Sequence, residues 1–183
     1  LQAFDAGGGY LNSQQFTAYA QLSYVVDGAG HVYPIALIGG TFWMLENYQF
    51  PADGSYLYAD DSRNEAAFGR LYDPRVLTQA PDGWSVPTAA DWSALFDFYG
   101  DASAAYAALI DEGRSGYNAQ LGGQRTIQPD GSAVYEQMYV YGYYWASPGN
   151  VCAQFSGNSG RATDGTPVSD PATALSVRFI RHA

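Results

Sequence analysis

Side chains able to do covalent or acid–base chemistry are few in this chain, and little in their spacing brings them together. Cys152 is the single cysteine, so it has no intrachain disulfide partner, and it reads as an inert small residue rather than a nucleophile. The two histidines are His31, beside a turn, and His182, near the C-terminal end. His31 reads as an exposed strand residue rather than a general base. No serine stands in a G-x-S-x-G elbow. Asp60, Asp61, Asn64 and Glu65 gather hard oxygen ligands of the kind calcium takes, but a solvated acidic loop accounts for them more simply. The 18 acidic residues allow carboxylate pairs, yet nothing in the spacing joins two of them. The expectation is a protein that is not an enzyme and needs no cofactor or metal.

The frame that holds these residues is readable from its punctuation. The chain has 183 residues, enough for one domain with a real core. Residues 1–23 read as an extension or linker to a neighbouring domain, with Gly7, Gly8 and Gly9 as the linker. Ser13 is a possible cap of a short helix carrying Phe16, Tyr19 and Ala20, although a strand fits that run equally. Residues 24–183 form the domain. Asp27-Gly28-Ala29-Gly30 is a turn between a strand ending at Val26 and one running to Ile38, so a hairpin is expected. Gly39-Gly40 closes it, and Thr41 to Leu45 is a short buried strand. Pro51 to Glu65 reads as loop, and Phe68 to Tyr72 as an apolar return. After Pro87, Thr88 and Asp91 have capping-box spacing. Trp92, Leu95, Phe96 and Tyr99 then share one helical face. Gly100 ends that helix, and Asp101 caps a second with Ala105, Tyr106, Leu109 and Ile110 on its face, ending near Gly113. Tyr135 to Trp145 is a dense aromatic run, and Leu175 to Ile180 alternates as a last strand. Trp43, Trp84, Trp92 and Trp145 are expected core anchors, and Arg178 is expected to pair with a carboxylate. Strands, two short helices, then strands with long loops indicate α+β.

Charge excludes several classes of partner. The formal net charge is −10, and all eight basic residues are arginines scattered along the chain. No basic stripe exists for phosphates or anionic lipid, so neither nucleic acid nor a charged membrane surface is an expected partner. No apolar run approaches the length of a membrane span, so direct membrane insertion is not expected. The sequence opens on Leu1 rather than Met, which we read as a fragment or processed form whose leader or anchor lies outside it.

Six segments, in order, resemble the Fibrobacter major paralogous domain, a C-type-lectin-like family common in bacterial surface proteins. They are Asp27-Gly28-Ala29-Gly30-His31-Val32-Tyr33 with Ile38-Gly39-Gly40 and Trp43-Met44-Leu45-Glu46-Asn47; Phe68-Gly69-Arg70-Leu71-Tyr72; and Pro81-Asp82-Gly83-Trp84-Ser85-Val86-Pro87-Thr88-Ala89-Ala90-Asp91-Trp92. Ser115-Gly116-Tyr117-Asn118-Ala119 with Gly122-Gly123-Gln124-Arg125 follows, then Gly142-Tyr143-Tyr144-Trp145-Ala146-Ser147 and Leu175-Ser176-Val177-Arg178. The resemblance implies a C-type-lectin-like fold with two short helices, small antiparallel sheets and long loops, at a cell or virion surface. Cysteines that many members carry before the Gly-Trp motif and in the final strand are replaced here around Ala80 and Phe179. The fold must therefore rest on its core. Formylglycine-generating oxidases share this fold superfamily but need paired cysteines for copper, and Cys152 has no companion.

The chain is also similar in layout to variable proteins of diversity-generating retroelements. Tyr144-Trp145-Ala146-Ser147 would open the variable segment and Ser176-Val177-Arg178 close it. Between them, residues 148–173 are small and polar, and only Gln154 lies outside the set that adenine-directed change of an asparagine codon reaches. The resemblance implies recognition of a surface protein or glycan through residues 146–174. If Val151, Ala153 and Phe155 face the core, Cys152, Gln154 and Ser156 face solvent. The expected contact residues are Tyr143, Ser147, Asn150, Cys152, Gln154, Ser156, Asn158, Arg161, Thr163 and Asp164. A fixed adhesin or lectin-like module and a structural surface protein stay open beside the diversified binder, as does a homo-oligomer.

Overall fold

The computed structural model describes residues 24–183; the linker and short element expected before Tyr24 lie outside the described residues. β1 (Tyr24–Val26) and β2 (Val32–Ile38) form the expected hairpin. Its turn is organised by the Asp27 carboxylate, which accepts hydrogen bonds from the amides of Ala29 (2.8 Å) and His31 (3.0 Å) and from the Tyr33 hydroxyl (2.6 Å). Burial pushes the Asp27 carboxyl up, but the Tyr33 hydroxyl and the two amides outweigh it and hold the group below its ordinary value. β3 (Thr41–Met44) continues the sheet. β4 (Ser55–Tyr56), a one-turn helix α1 (Glu65–Phe68) and β5 (Leu71–Tyr72) follow, with β4 and β5 paired. Gly69, at φ +68, turns the chain where a Cβ would lie 2.7 Å from the Asn47 Cβ, so the expected tight turn there is required sterically.

α2 (Ala89–Tyr99) carries the full capping box, with the Thr88 side chain accepting from the Asp91 amide and Asp91 accepting from the Thr88 amide. Such a cap contributes about 1 kcal/mol. Trp92, Leu95 and Phe96 are buried as their spacing predicts. Asp101 caps α3 (Ala102–Leu109) by accepting from the Ser103 and Ala104 amides. That helix stops at Leu109, short of the expected end near Gly113, because the Leu109 carbonyl and the Asp111 amide bond to Ala119 instead.

The remaining strands are β6 (Gly122–Ile127), β7 (Ala133–Met138), β8 (Tyr141–Ala146), β9 (Val151–Ser156), β10 (Arg161–Pro167) and β11 (Ile180–His182). The aromatic run is thus two strands, and they are not neighbours. The five-stranded sheet has the order β10-β9-β8-β6-β7, while β11 joins the first sheet in the order β1-β2-β3-β11. Mostly antiparallel sheets with two principal helices make the fold α+β.

Two apolar clusters lie on opposite faces of β8 and β9. One joins Trp92, Phe96, Tyr144, Ala153, Phe155 and Trp43 beneath the helices, and the other joins Trp145, Cys152, Val177, Phe179, Met44 and Tyr33. All four tryptophans are buried, as expected of anchors. Trp92 and Trp43 rings meet at 5.0 Å between centroids, and Phe155 packs edge-on to Phe96 at 5.6 Å. The Trp145 indole N–H donates to the Tyr72 carbonyl at 2.6 Å, so its one polar atom is satisfied in the interior.

The expected final strand differs from the structure. Residues 173–180 are buried without alternation, and regular pairing begins only at Ile180. This stretch is threaded between other elements, touching Tyr72, Arg125 and Tyr144 through single bridges, so both sides of it are covered.

Candidate functional site

The β8–β9–β10 meander carries the residues expected to bind. β8 and β9 pair in continuous register from Tyr141↔Ser156 to Ala146↔Val151, which throws Ser147 and Asn150 onto the connecting turn. That turn is tied to the start of α2, where the Ser147 amide donates to the Pro87 carbonyl at 2.8 Å. β9 and β10 pair from Ser156↔Arg161, which puts Asn158 at the opposite turn. Six strand residues at about 3.3 Å each separate the two turns by about 20 Å. Between Thr163 and Thr166 the register shifts, with Asp164 and Gly165 both opposite Ala153. This is a β-bulge, and Gly165 supplies its left-handed residue at φ +67.

The expected contact residues therefore separate into groups. Ser147 and Asn150 are exposed at one turn, and Asn158 and Arg161 are exposed at the other. Thr163 and Asp164 are exposed on the bulge. Tyr143 and Gln154 are half-buried, and Tyr143 lines, with the nearly enclosed Cys152, a shallow groove of about 250 Å³ between β10 and the chain that follows it. The Tyr143 hydroxyl donates to Gln137 Oε1 at 2.7 Å, and burial followed by the neighbouring Tyr141 pushes it up to about 12. Gln154 Oε1 accepts from the Thr166 hydroxyl at 3.4 Å.

Cys152 and Ser156 do not face solvent as their alternation predicts; they are 1% and 8% exposed. Residues 168–177 fold back beside Cys152, with the Val168 amide on the Asn150 carbonyl and the Ser176 amide on the Tyr143 carbonyl, while Ser156 is tucked into the β9–β10 turn, where its hydroxyl accepts from the Ser159 amide at 3.3 Å. Cys152 then joins the Trp145 cluster, and burial pushes its thiol up to about 12. The core-facing reading of Ala153 and Phe155 agrees with the structure, and Val151 is partly buried beside them.

Arg178 is also corrected. It is fully buried but meets no carboxylate within ion-pair distance among the described residues. Its Nε donates to Asn47 Oδ1 at 2.8 Å and its terminal nitrogens to the Tyr117 and Asn118 carbonyls, while its guanidinium lies 4.3 Å from the Tyr117 ring centroid. Neutral acceptors and the rings of Tyr117 and, at 5.6 Å, Tyr144 hold this cation in place of an acid. The acidic loop is likewise engaged internally. Asp61 pairs with Arg63, Glu65 with Arg70, Asn64 donates to the Tyr58 carbonyl, and Asp60 accepts from the Tyr135 hydroxyl.

A family model described as the Fibrobacter succinogenes major domain matches residues 37–181. The chain belongs to this family. The match to the Fibrobacter succinogenes major domain runs from the end of β2 to within β11, so it leaves out β1 and takes in the five-stranded sheet, both principal helices and the whole β8–β10 meander. Comparison with curated proteins and with solved structures gave no match.

Sequence reasoning missed the groove partners of Tyr143. Gln124 and Thr126 of β6 line it together with Thr166, Ser169 and Asp170. The available signal was the i, i+2 spacing of Gln124 and Thr126, which places both on one face of a strand. Their approach to Tyr143 depends on β6 lying beside β8, a pairing between distant segments that periodicity does not reveal.

Proposed function

We propose that this member of the Fibrobacter succinogenes major domain family is a non-catalytic, C-type-lectin-like recognition module displayed outside the cell or on a virion. Its ligand is a surface protein or glycan, met by the exposed residues of the β8–β10 meander. The observation that carries the reading is the division of labour within one hairpin. Asn158, Arg161, Thr163 and Asp164 lie open on or beside the edge strand β10, while Ala153, Phe155 and Ala162 behind them are in the core. Small polar side chains on a rigid scaffold suit adaptable hydrogen bonding. The two turns are too far apart for one small molecule to touch both, which favours an extended ligand or a protein face. The same division would let a diversity-generating system rewrite the outward positions without reaching the core. A non-catalytic role is supported by the enclosure of the Cys152 thiol and by the engagement of His31 with the turn carboxylate of Asp27.

The direct test is binding of the labelled domain to an array of glycans and cell-surface protein ectodomains, repeated with N158A/R161A/T163A/D164A. Loss of the array signals with an unchanged melting temperature is expected; signals that survive the fourfold change reject the surface. Population sequencing tests the diversified form separately. Substitutions at Ser147, Asn150, Asn158, Arg161, Thr163 and Asp164, with Cys152 and Phe155 constant, support it, whereas a uniform segment leaves a fixed adhesin or structural module.

A further inference from the structure

Alternation along β6 sends Gln124 and Thr126 to the β10 groove and Arg125 and Ile127 to the other side, where they line a separate cavity of about 520 Å³. Arg125 is half-buried there. Its guanidinium carbon sits 3.7 Å from the Tyr56 ring centroid and 5.9 Å from that of Tyr135, its cross-strand partner. The Nε is enclosed and has no hydrogen-bond acceptor. Among the described residues no carboxylate pairs with this guanidinium, whose polar neighbour is the Tyr135 hydroxyl, whereas Arg63, Arg70 and Arg75 each have an acidic partner and Arg178 has three carbonyl-type acceptors. A partly desolvated cation packed over the Tyr56 ring, without a counter-charge, is costly unless something supplies one. Arg75 stands at the same cavity but is already matched by Asp73 at 2.6 Å.

We propose that this cavity is a second binding site, for the carboxylate of an acidic sugar. It is independent of the meander surface. A planar guanidinium fixed by stacking presents paired N–H groups to a planar carboxylate. One unmatched positive charge suits a monoanion better than a phosphate dianion. Tyr56, Pro74, Ile127 and Pro171 supply apolar walls, which suit the C–H face of a pyranose whose hydroxyls turn to water at the mouth. A peptide terminus would lay unpaired backbone N–H and C=O groups against the same walls.

Calorimetric titration with trigalacturonate and triglucuronate, each against its neutral hexose counterpart, tests this. Binding of at least one uronate, about tenfold or more tighter than its neutral counterpart, is expected, together with its loss in R125Q and its retention in N158A/R161A/T163A/D164A. If R125Q does not fold, P171D, which puts a like charge at the exposed rim, is expected to weaken binding about fivefold or more. The proposal is overturned if neither uronate binds, if the neutral sugars bind equally well, or if P171D leaves uronate affinity unchanged. It is overturned also if a tripeptide carboxylate binds in their place.

Discussion

β9 and β10 are adjacent strands of one sheet that share one covered face, where Ala153 and Phe155 of β9 and Ala162 of β10 are buried, yet their second faces occupy opposite environments. β9 is covered by the helices on one side and, around Cys152, by residues 168–177 on the other, so even Cys152 is interior. β10 is the edge of the sheet and, apart from Ala162, leaves its side chains exposed or half-exposed. Apolar Ala153 and Phe155 mark the covered face of β9 in the sequence, but small Cys152 on its second face did not declare itself buried. What decided was whether another part of the chain arrived to cover the second face.

The strongest way to break this contrast is Phe155→Ala on β9, which should lower stability by about 3–5 kcal/mol in denaturant unfolding. A cost under about 1 kcal/mol would mean that the helices do not seal this face. Ala153→Leu overfills the same layer and should cost about 1–3 kcal/mol, read as a lower melting temperature. The contrast sharpens with thiol chemistry. Cys152 should react with a thiol reagent at least about 100-fold more slowly than a cysteine placed by Thr163→Cys, since it reacts only through opening of the structure. Because burial raises the Cys152 thiol to about 12 in the folded state, folding favours the neutral form. That contribution is whole below the unfolded value near 9 and is lost as pH rises toward 12, so Cys152→Ala should flatten the alkaline limb of the stability profile. The smallest effect belongs to β10. Thr163→Ser with Asp164→Asn should shift stability by no more than about 0.5 kcal/mol while changing ligand binding.

What was legible in the sequence was local. Thr88 and Asp91 declare a helix start within four residues, and Asp27 through Gly30 declare a turn. The helical face of Trp92, Leu95 and Phe96 follows from spacing alone. Errors came where the answer lay far along the chain. Cys152 is inside because residues 168–177 return over it, and Arg178 needs no acid because Asn47, Tyr117 and Asn118 converge on it from distant segments. Arg125 gave no sign of its setting, since Tyr56 reaches it from a strand pair about seventy residues earlier. The meander was identified as the segment to examine, but which of its residues are available to a ligand depended on the cover over β9.

The threaded stretch at residues 173–180 has a consequence for how the domain is made. It bonds to Tyr72, Tyr143 and Trp145, then carries the chain into β11 beside β3, so with Tyr72 and β3 it closes contacts to partners more than a hundred residues upstream. A nascent chain on the ribosome thus holds two unfinished sheets until that stretch emerges, with the Trp145 side of the second one bare to water. Vectorial synthesis gives this domain no independently finished first half, and a chain halted before residue 173 is a natural client for chaperones and proteases.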